Sequence, residues 1–355
     1  MEYGAIDLHK RESQIRILTE EGELVDTRIP TTRDHLTAVF ADRSRMRILL
    51  EAGTESEWVA QHLETLGHQV IVADPNYAPM YGHRSRRVKT DRRDVAALTE
   101  ACLHGIYRPV HRRSERQRAV QQELNVRDVL IQARTRSILV ARAMTRANGL
   151  RLRSGVAATF VRRLNALAVP PAMATASRPL CRVIDLLNEE LRALDARLAS
   201  AAKAEPELSR LMTLPGVGPI AATAFVAALD DAARFRSPRQ VTSYLGLVPS
   251  EYSSGDKRHR GRLLRSGHPR VQALLVQAAW RVWRSRNPET EGLRRWTQAL
   301  GDRRGKKVAV VALARRLARI LFAMWRDKAE FLGSRIRAGR IPPDRAVSHS
   351  NVKIA

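Results

Sequence analysis

The stretch Tyr3-Gly4-Ala5-Ile6-Asp7-Leu8 is a short apolar run with one carboxylate inside it. It reads as a buried β-strand ending near Asp7, and a carboxylate in a buried strand needs a partner. Working outward, Gln14 to Leu18 is a second strand, with Ile15 and Ile17 alternating against polar neighbours. The turn E-E-G-E at 20–23 leads into a third strand, Leu24 to Ile29. Thr32 caps a helix to about Arg43, and Met46 to Ala52 is a fourth strand with Glu51 near its end. Thr54 caps a helix through Leu66 that Gly67 stops, and Gln69 to Asp74 is a fifth strand. Thr90 or Asp91 starts a helix to about His104. Three leading strands followed by helix–strand alternation predict an α/β domain over 1–108, a mixed sheet flanked by helices.

From Pro109 the pattern changes to long helical stretches, over Glu115–Asn148 and Pro179–Ala204. The second carries Leu187, Leu191, Leu194 and Leu198 at coiled-coil spacing, which fits a helical hairpin or a dimerising arm. The first carries Arg127, Arg134, Arg136, Arg142 and Arg146, a face that either follows nucleic acid or is simply solvated. V-P-P-A-M-A-T-A-S-R-P, 169–179, reads as a linker within a helical coiled-coil region over 109–205. A third, mostly α-helical region covers 206–338, and 339–355 reads as a loose tail. Within the third region, 211–229 resembles a helix-hairpin-helix. Gly216 and Gly218 form its turn, and main-chain N–H groups there suit a DNA phosphate. A plain turn between packed helices has the same pattern.

Residues 244–270 hold a second kind of chemistry. Ser253 and Ser254 stand beside Gly255, followed by Lys257, Arg258, His259, Arg260, Arg262 and Arg265. A hydroxyl next to a glycine and a dense basic run suits attack on a phosphodiester, since the cations offset charge developing on the phosphorus oxygens. A basic surface loop with ordinary serines is the plainer reading of the same residues. His259 and His268 suit phosphate better than metal.

Four acids suit a metal site: Asp7, Glu51, and Asp91 with Asp94, which share one helix face at a spacing of three. Clustered carboxylates repel unless a cation joins them, and Mg²⁺ takes such oxygen ligands while leaving room for substrate phosphates. Two Mg²⁺ ions could clamp a phosphodiester. Each acid also has a plainer role: Asp91 as a helix cap, Asp94 on the helix dipole, Asp7 in a turn. Glu55 or Glu57 could stand in for Glu51.

The chain has 355 residues, a hydrophobic fraction of 44% and a net charge of +26. That balance points to a polyanionic partner, DNA or RNA. No apolar run reaches the roughly 18 residues of a membrane span, and the start lacks a signal-peptide pattern. Cys102 and Cys181 form no metal-ligand spacing and fit a reducing, cytoplasmic setting.

Several motifs, in order, carry a resemblance over nearly the whole chain. They are G-A-I-D-L-H-K at 4–10, L-E-A-G-T at 50–54, K-T-D-R-R-D-V-A-A-L at 89–98, L-P-G-V-G-P at 214–219 and G-L-V-P-S-E-Y-S-S-G with the basic run after it. Together they resemble the DEDD/serine transposases of the IS110 insertion-sequence family. The resemblance implies a ribonuclease H-like, Holliday-junction-resolvase type N-terminal domain, a coiled-coil region and a helical transposase domain. Asp7, Glu51, Asp91 and Asp94 would be the DEDD metal ligands. Ser254 would be the nucleophile that forms a phosphoserine, with Ser253 as the alternative because the serine is doubled here. It also implies a homo-oligomer (dimer or tetramer), donor and target DNA, a structured non-coding guide RNA and a nucleoid-associated location. A metal-only DNA junction nuclease and a non-catalytic nucleic-acid-binding protein are the competing readings.

Overall fold

Period-2 alternation along the first strands sets the layers of the N-terminal unit, residues 1–113. In the computed structural model its strands are β1 (Tyr3–Leu8), β2 (Glu12–Leu18), β3 (Leu24–Pro30), β4 (Arg47–Glu51) and β5 (Gln69–Ala73). They form one sheet in the order β3-β2-β1-β4-β5. β1, β2 and β3 pair antiparallel, while β4 runs parallel to both β1 and β5. The structure describes residues 1–82, 90–254, 257–263 and 267–335, with backbone alone for 251–262 and 335.

Ile6, Ile48 and Leu50 pack on one face of the sheet with Ile15 and Ile17. Helices α1 (Arg33–Phe40) and α2 (Ser56–Thr65) cover that face with Leu36, Phe40, Val59 and Leu63. Ala5 and Leu49 pack on the other face, beneath Val95, Leu98 and Cys102 of α3 (Asp91–His104). Each fully buried Leu, Ile or Phe contributes ~1.5–3 kcal/mol. Burial pushes the Cys102 thiol up to about 12, so it acts as core rather than as a nucleophile. Thr32 caps α1 as its sequence predicts, its side chain accepting from the His35 N–H. Thr54 does not cap α2. The cap position is Glu55, and Ser56 Oγ instead exchanges hydrogen bonds with the Gly53 N–H and C=O, so that hydroxyl ties the turn.

The second unit, residues 114–355, is built on two long helices, α4 (Glu115–Ala147) and α6 (Pro171–Ala204), which pack against each other. The leucine stripe Leu187, Leu191, Leu194 and Leu198 is buried within the chain, as a helical hairpin requires. Two of the α4 arginines brace this hairpin and a third packs on α5 (Phe160–Asn165). Arg127 Nε donates to Asp195 at 2.6 Å, Arg134 Nη1 donates to Asn188 at 3.0 Å, and Arg142 lies over the Phe160 ring at 5.9 Å.

The 169–179 stretch is not a linker. Pro171 starts α6, where its missing N–H costs nothing, and Pro179 lies inside the helix. Met173, Leu180 and Cys181 join a cluster with Ile138 of α4 and with Phe160, Val161 and Leu164 of α5 (Phe160–Asn165). That burial outweighs the helix-breaking tendency of Pro179, which has no N–H to give the Thr175 carbonyl.

The rest of the unit comprises α7 (Pro206–Met212), α8 (Pro219–Leu229), α9 (Pro238–Tyr244), α10 (Pro269–Arg284), α11 (Glu291–Arg304) and α12 (Lys306–Arg326). One core, including Phe225, Leu275, Leu293, Leu317 and Phe322, joins them. Apart from Thr223, α8 is apolar all round, and it is buried from Ala221 to Leu229, as a helix without a polar face must be. Between α9 and α10 the chain forms an antiparallel ribbon, β6 (Pro249–Ser254) and β7 (Lys257–Leu263), where the sequence reads as a basic loop. The 339–355 tail lies outside the described residues. Among the described residues, no helix is long and apolar enough to cross a membrane.

Replacing Pro179 with Ala should restore the missing helical hydrogen bond and stabilise the protein by about 1–3 kcal/mol. Urea denaturation checks this; a lower midpoint would mean that the proline ring is itself packed.

Candidate active site

Strand register brings the first two acids together. β1 and β4 pair in parallel with Ala5 opposite Leu49 and Ile6 opposite Leu50. One residue further in that register, Asp7 and Glu51 stand at the carboxyl ends of adjacent strands. By alternation both share the α3 face with Ala5 and Leu49. α3 starts at Asp91, and Asp94 lies three residues on and buried. The cap residue of α3 is Thr90, so Asp91 is not spent as the cap. All four acids line one cleft of about 750 Å³, together with His9 and Tyr81.

Burial raises the Asp7 carboxyl to about 6. The charges of Glu51, Asp91 and Asp94 push the same way, and His9 opposes them. His9 Nε2 lies 3.5 Å from Asp7 Oδ2 and 3.7 Å from Asp91 Oδ1. Ligand atoms of Asp7, His9 and Asp91 all fall within 4.8 Å of one another, close enough to hold one metal ion. The Tyr81 hydroxyl, at the end of a 3₁₀ turn (Ala78–Tyr81), donates to Glu51 Oε1. Glu55 and Glu57, the stand-ins for Glu51, are engaged elsewhere. Glu55 accepts from Trp58 Nε1 at 2.5 Å, and Glu57 accepts from Arg112 at 3.0 and 3.1 Å. Converging oxygen donors around a partly buried, mutually repelling set suit a hard divalent cation.

Sequence reasoning missed His9 and Tyr81. His9 was findable, because it stands two residues after Asp7 at a strand end, where alternate residues share a face. Tyr81 has no such signal; its approach to Glu51 across thirty residues is tertiary.

The serine-bearing stretch lies in the second unit. Its backbone register sets Ser254 opposite Lys257 and Ser253 opposite Arg258. The side chains of Ser253, Ser254, Lys257, Arg258, His259, Arg260 and Arg262, and all of Gly255 and Arg265, lie outside the described residues. What is described is the base of the ribbon. Gly267 has φ +131°, and a Cβ there would stand 2.8 Å from Gly246 N and Leu245 C, both backbone atoms. Gln272 Nε2 donates to Leu245 O at 2.8 Å, and His268 packs its ring 4.9 Å from that of Tyr244. Gly216 has φ +95° in the turn before α8, and a Cβ there would meet Ala278 O at 3.1 Å on α10. Gly218 takes the cap position of α8. The turn is therefore at least a packed one.

Two outcomes follow from this geometry. Above about pH 6 the ionised Asp7 costs the metal-free fold stability, and protonation as pH falls through that value relieves the cost. Asp7→Asn should therefore raise metal-free stability at pH 7.5 by on the order of 2 kcal/mol. It should also abolish any rise in melting temperature that a divalent cation gives the parent chain, as thermal unfolding with and without added Mg²⁺ would show. Separately, Gly267→Ala should destabilise by about 1–3 kcal/mol, since neither the backbone conformation nor the backbone contact can yield. Thermal unfolding against a Gly22→Ala control, which shares a positive φ (+86°) but has nothing within 4 Å of the new Cβ, isolates the part due to the backbone contact.

Comparison with known proteins places this geometry in context. Residues 5–145 match a transposase family model of the DEDD type of IS110. Residues 208–293 match the model described as the transposase IS116/IS110/IS902 family. A probable family 20 transposase of Pseudomonas aeruginosa is 32% identical over 90% of this chain and 95% of its own. The transposase for insertion sequence element IS1111A of Coxiella burnetii is 27% identical over 90% and 88%. The transposase for insertion sequence element IS1328 of Yersinia enterocolitica is 28% identical over 90% and 95%.

Proposed function

The chain belongs to the IS110 family of insertion-sequence transposases, and from that premise we propose that it cuts and rejoins DNA through a phosphoserine. It is a DNA transposase; the route is our reading. The observation that carries it is the convergence of Asp7, Glu51, Asp91 and Asp94 on one cleft, alongside a separate Ser-Gly-basic motif. The N-terminal sheet with its carboxylates at parallel strand ends supports a ribonuclease H-like domain over 1–108. The helical region over 109–205 and the transposase domain over 206–338 complete the division.

Asp7, Glu51, Asp91 and Asp94 would hold Mg²⁺, two ions in the fullest form. When bound, Mg²⁺ supplies Lewis-acid stabilisation of charge on the scissile phosphate. Ser254 Oγ attacks the phosphorus, its proton passes to solvent, and the phosphorus–deoxyribose oxygen bond breaks. The freed oxygen takes up a proton and the strand stays on the protein as a phosphoserine. A hydroxyl of a second strand then attacks that phosphorus, which rejoins DNA and restores Ser254. Lys257, Arg258, Arg260, Arg262 and Arg265 hold phosphate oxygens through this exchange. The Gly216–Gly218 turn adds main-chain N–H contacts to DNA. The net charge of +26 suits binding a structured guide RNA together with donor and target DNA. A homo-oligomer would then supply more than one copy of each site.

The test is adduct trapping on DNA carrying the element's ends, with the transcript that flanks the gene. Asp7→Asn and Ser254→Ala should each lower recombination by at least about a thousandfold, and Ser254→Ala should leave no covalent protein–DNA species. Ser253→Ala should keep the adduct. Hydrolysis without any adduct would instead favour a metal-only nuclease.

A further inference from the structure

We infer that His9 completes the carboxylate site as its nitrogen donor, so that this protein binds Mn²⁺ more tightly than Mg²⁺. The inference rests on the metal reading of the cleft and adds a ligand outside the DEDD set.

The geometry is that of a shared ion. Two ligands on an octahedral ion with bonds of about 2.1 Å stand about 3.0 Å apart when adjacent and about 4.2 Å apart when opposite. His9 Nε2 lies 3.5 Å from Asp7 Oδ2 and 3.7 Å from Asp91 Oδ1, and the three ligand atoms span no more than 4.8 Å. A contraction of well under 1 Å would bring all three onto one ion. The imidazole also bridges acids from two separate elements, the end of β1 and the first turn of α3.

The histidine is held in place from behind. Thr31 Oγ1 donates to the His9 carbonyl at 2.8 Å, and Ser13 Oγ lies 2.7 Å from that same Thr31 Oγ1. Ser13 is itself buried on β2, and the Thr31 N–H donates to the Arg11 carbonyl at 2.9 Å. The backbone between β1 and β2 is thus pinned, and the ring is presented from a fixed point.

Ligand chemistry then sets the preference. Mg²⁺ binds oxygen and gains little from an imidazole, whereas Mn²⁺ accepts the same carboxylates and a nitrogen as well. Carboxylates alone already hold Mn²⁺ somewhat more tightly than the reluctantly dehydrating Mg²⁺, so the nitrogen shows as a widening of that gap. Adding a nitrogen favours Mn²⁺ selectively.

Full-length protein is titrated with Mn²⁺ by electron paramagnetic resonance, with Mg²⁺ affinity read by displacement. Pulsed measurements report whether a ¹⁴N nucleus is coupled directly to the bound Mn²⁺. The parent chain should show that coupling, and His9→Ala and His9→Gln should lose it. Both variants should bind Mn²⁺ about tenfold or more weakly while Mg²⁺ affinity changes by less than about threefold. His9 is more than half exposed, so neither variant disturbs the core. Asp7→Asn should remove the Mn²⁺ signal and so locate the ion. Mn²⁺ bound without nitrogen coupling, or coupling that survives in the His9 variants, overturns the inference and leaves the metal reading standing. Mn²⁺ binding that survives Asp7→Asn places the ion elsewhere and overturns it too. No Mn²⁺ binding at all sinks both.

Discussion

The parallel pairing of β1 with β4 is the constraint on which the candidate site depends. The register of Ala5 with Leu49 determines which face Asp7 and Glu51 share. A slip of one residue would turn every side chain of one strand to the other face. The apolar residues forbid that slip. Ile6, Ile48 and Leu50 belong to the core under α1 and α2, and Ala5 and Leu49 to the core under α3. The two hydrophobic layers thus hold in place a pair of carboxylates that would otherwise separate. The raised Asp7 carboxyl reflects first the burial that this packing enforces, and after it the nearby charges of Glu51, Asp91 and Asp94.

The second unit solves a different problem. It must carry a strongly basic ribbon without letting like charges disrupt a helical domain. Its answer is a core that encloses α8 from Ala221 to Leu229 and a glycine-to-backbone pinch, Gly267 on Leu245 and Gly246, at the ribbon's base. Many of its cations are also given structural partners. Arg127 and Arg134 brace α6, and Arg270 Nε donates to Asp128 at 2.6 Å. Arg127 and Arg270 are each matched by an aspartate and so add nothing to the net charge of +26. A count of arginines overstates the binding surface, because some of them are the pins of the helical hairpin.

Much of this was legible in the residues. The five strands and α3 follow from alternation and from apolar runs of strand length; Asp7 and Glu51 stood out as carboxylates in apolar runs, and Asp91 and Asp94 by their spacing of three on one helix face. Where reading failed, a tertiary contact outweighed a local preference. Pro179 reads as the start of a helix after a linker, yet α6 already runs from Pro171 through it, held by the cluster around Met173, Phe160 and Leu164. Thr54 reads as a cap, yet Ser56 makes the hydrogen bonds to Gly53. The ribbon of β6 and β7 was read as a loop, because a run of cations has no apolar alternation to show a strand.

The sequence by itself determined the residue types behind the two chemistries we propose: four acids in the first unit and a serine beside a glycine and a basic run in the second. Residue type alone carries charge, nucleophilicity and ligand hardness, so these needed no coordinates. Only the tertiary structure decided which groups face the acids. His9 reaches Asp91 across more than eighty positions, and Tyr81 reaches Glu51 across thirty. Strand register and the docking of α3 bring them there. Those are set by the sum of many apolar burials, and no spacing along the chain records that sum.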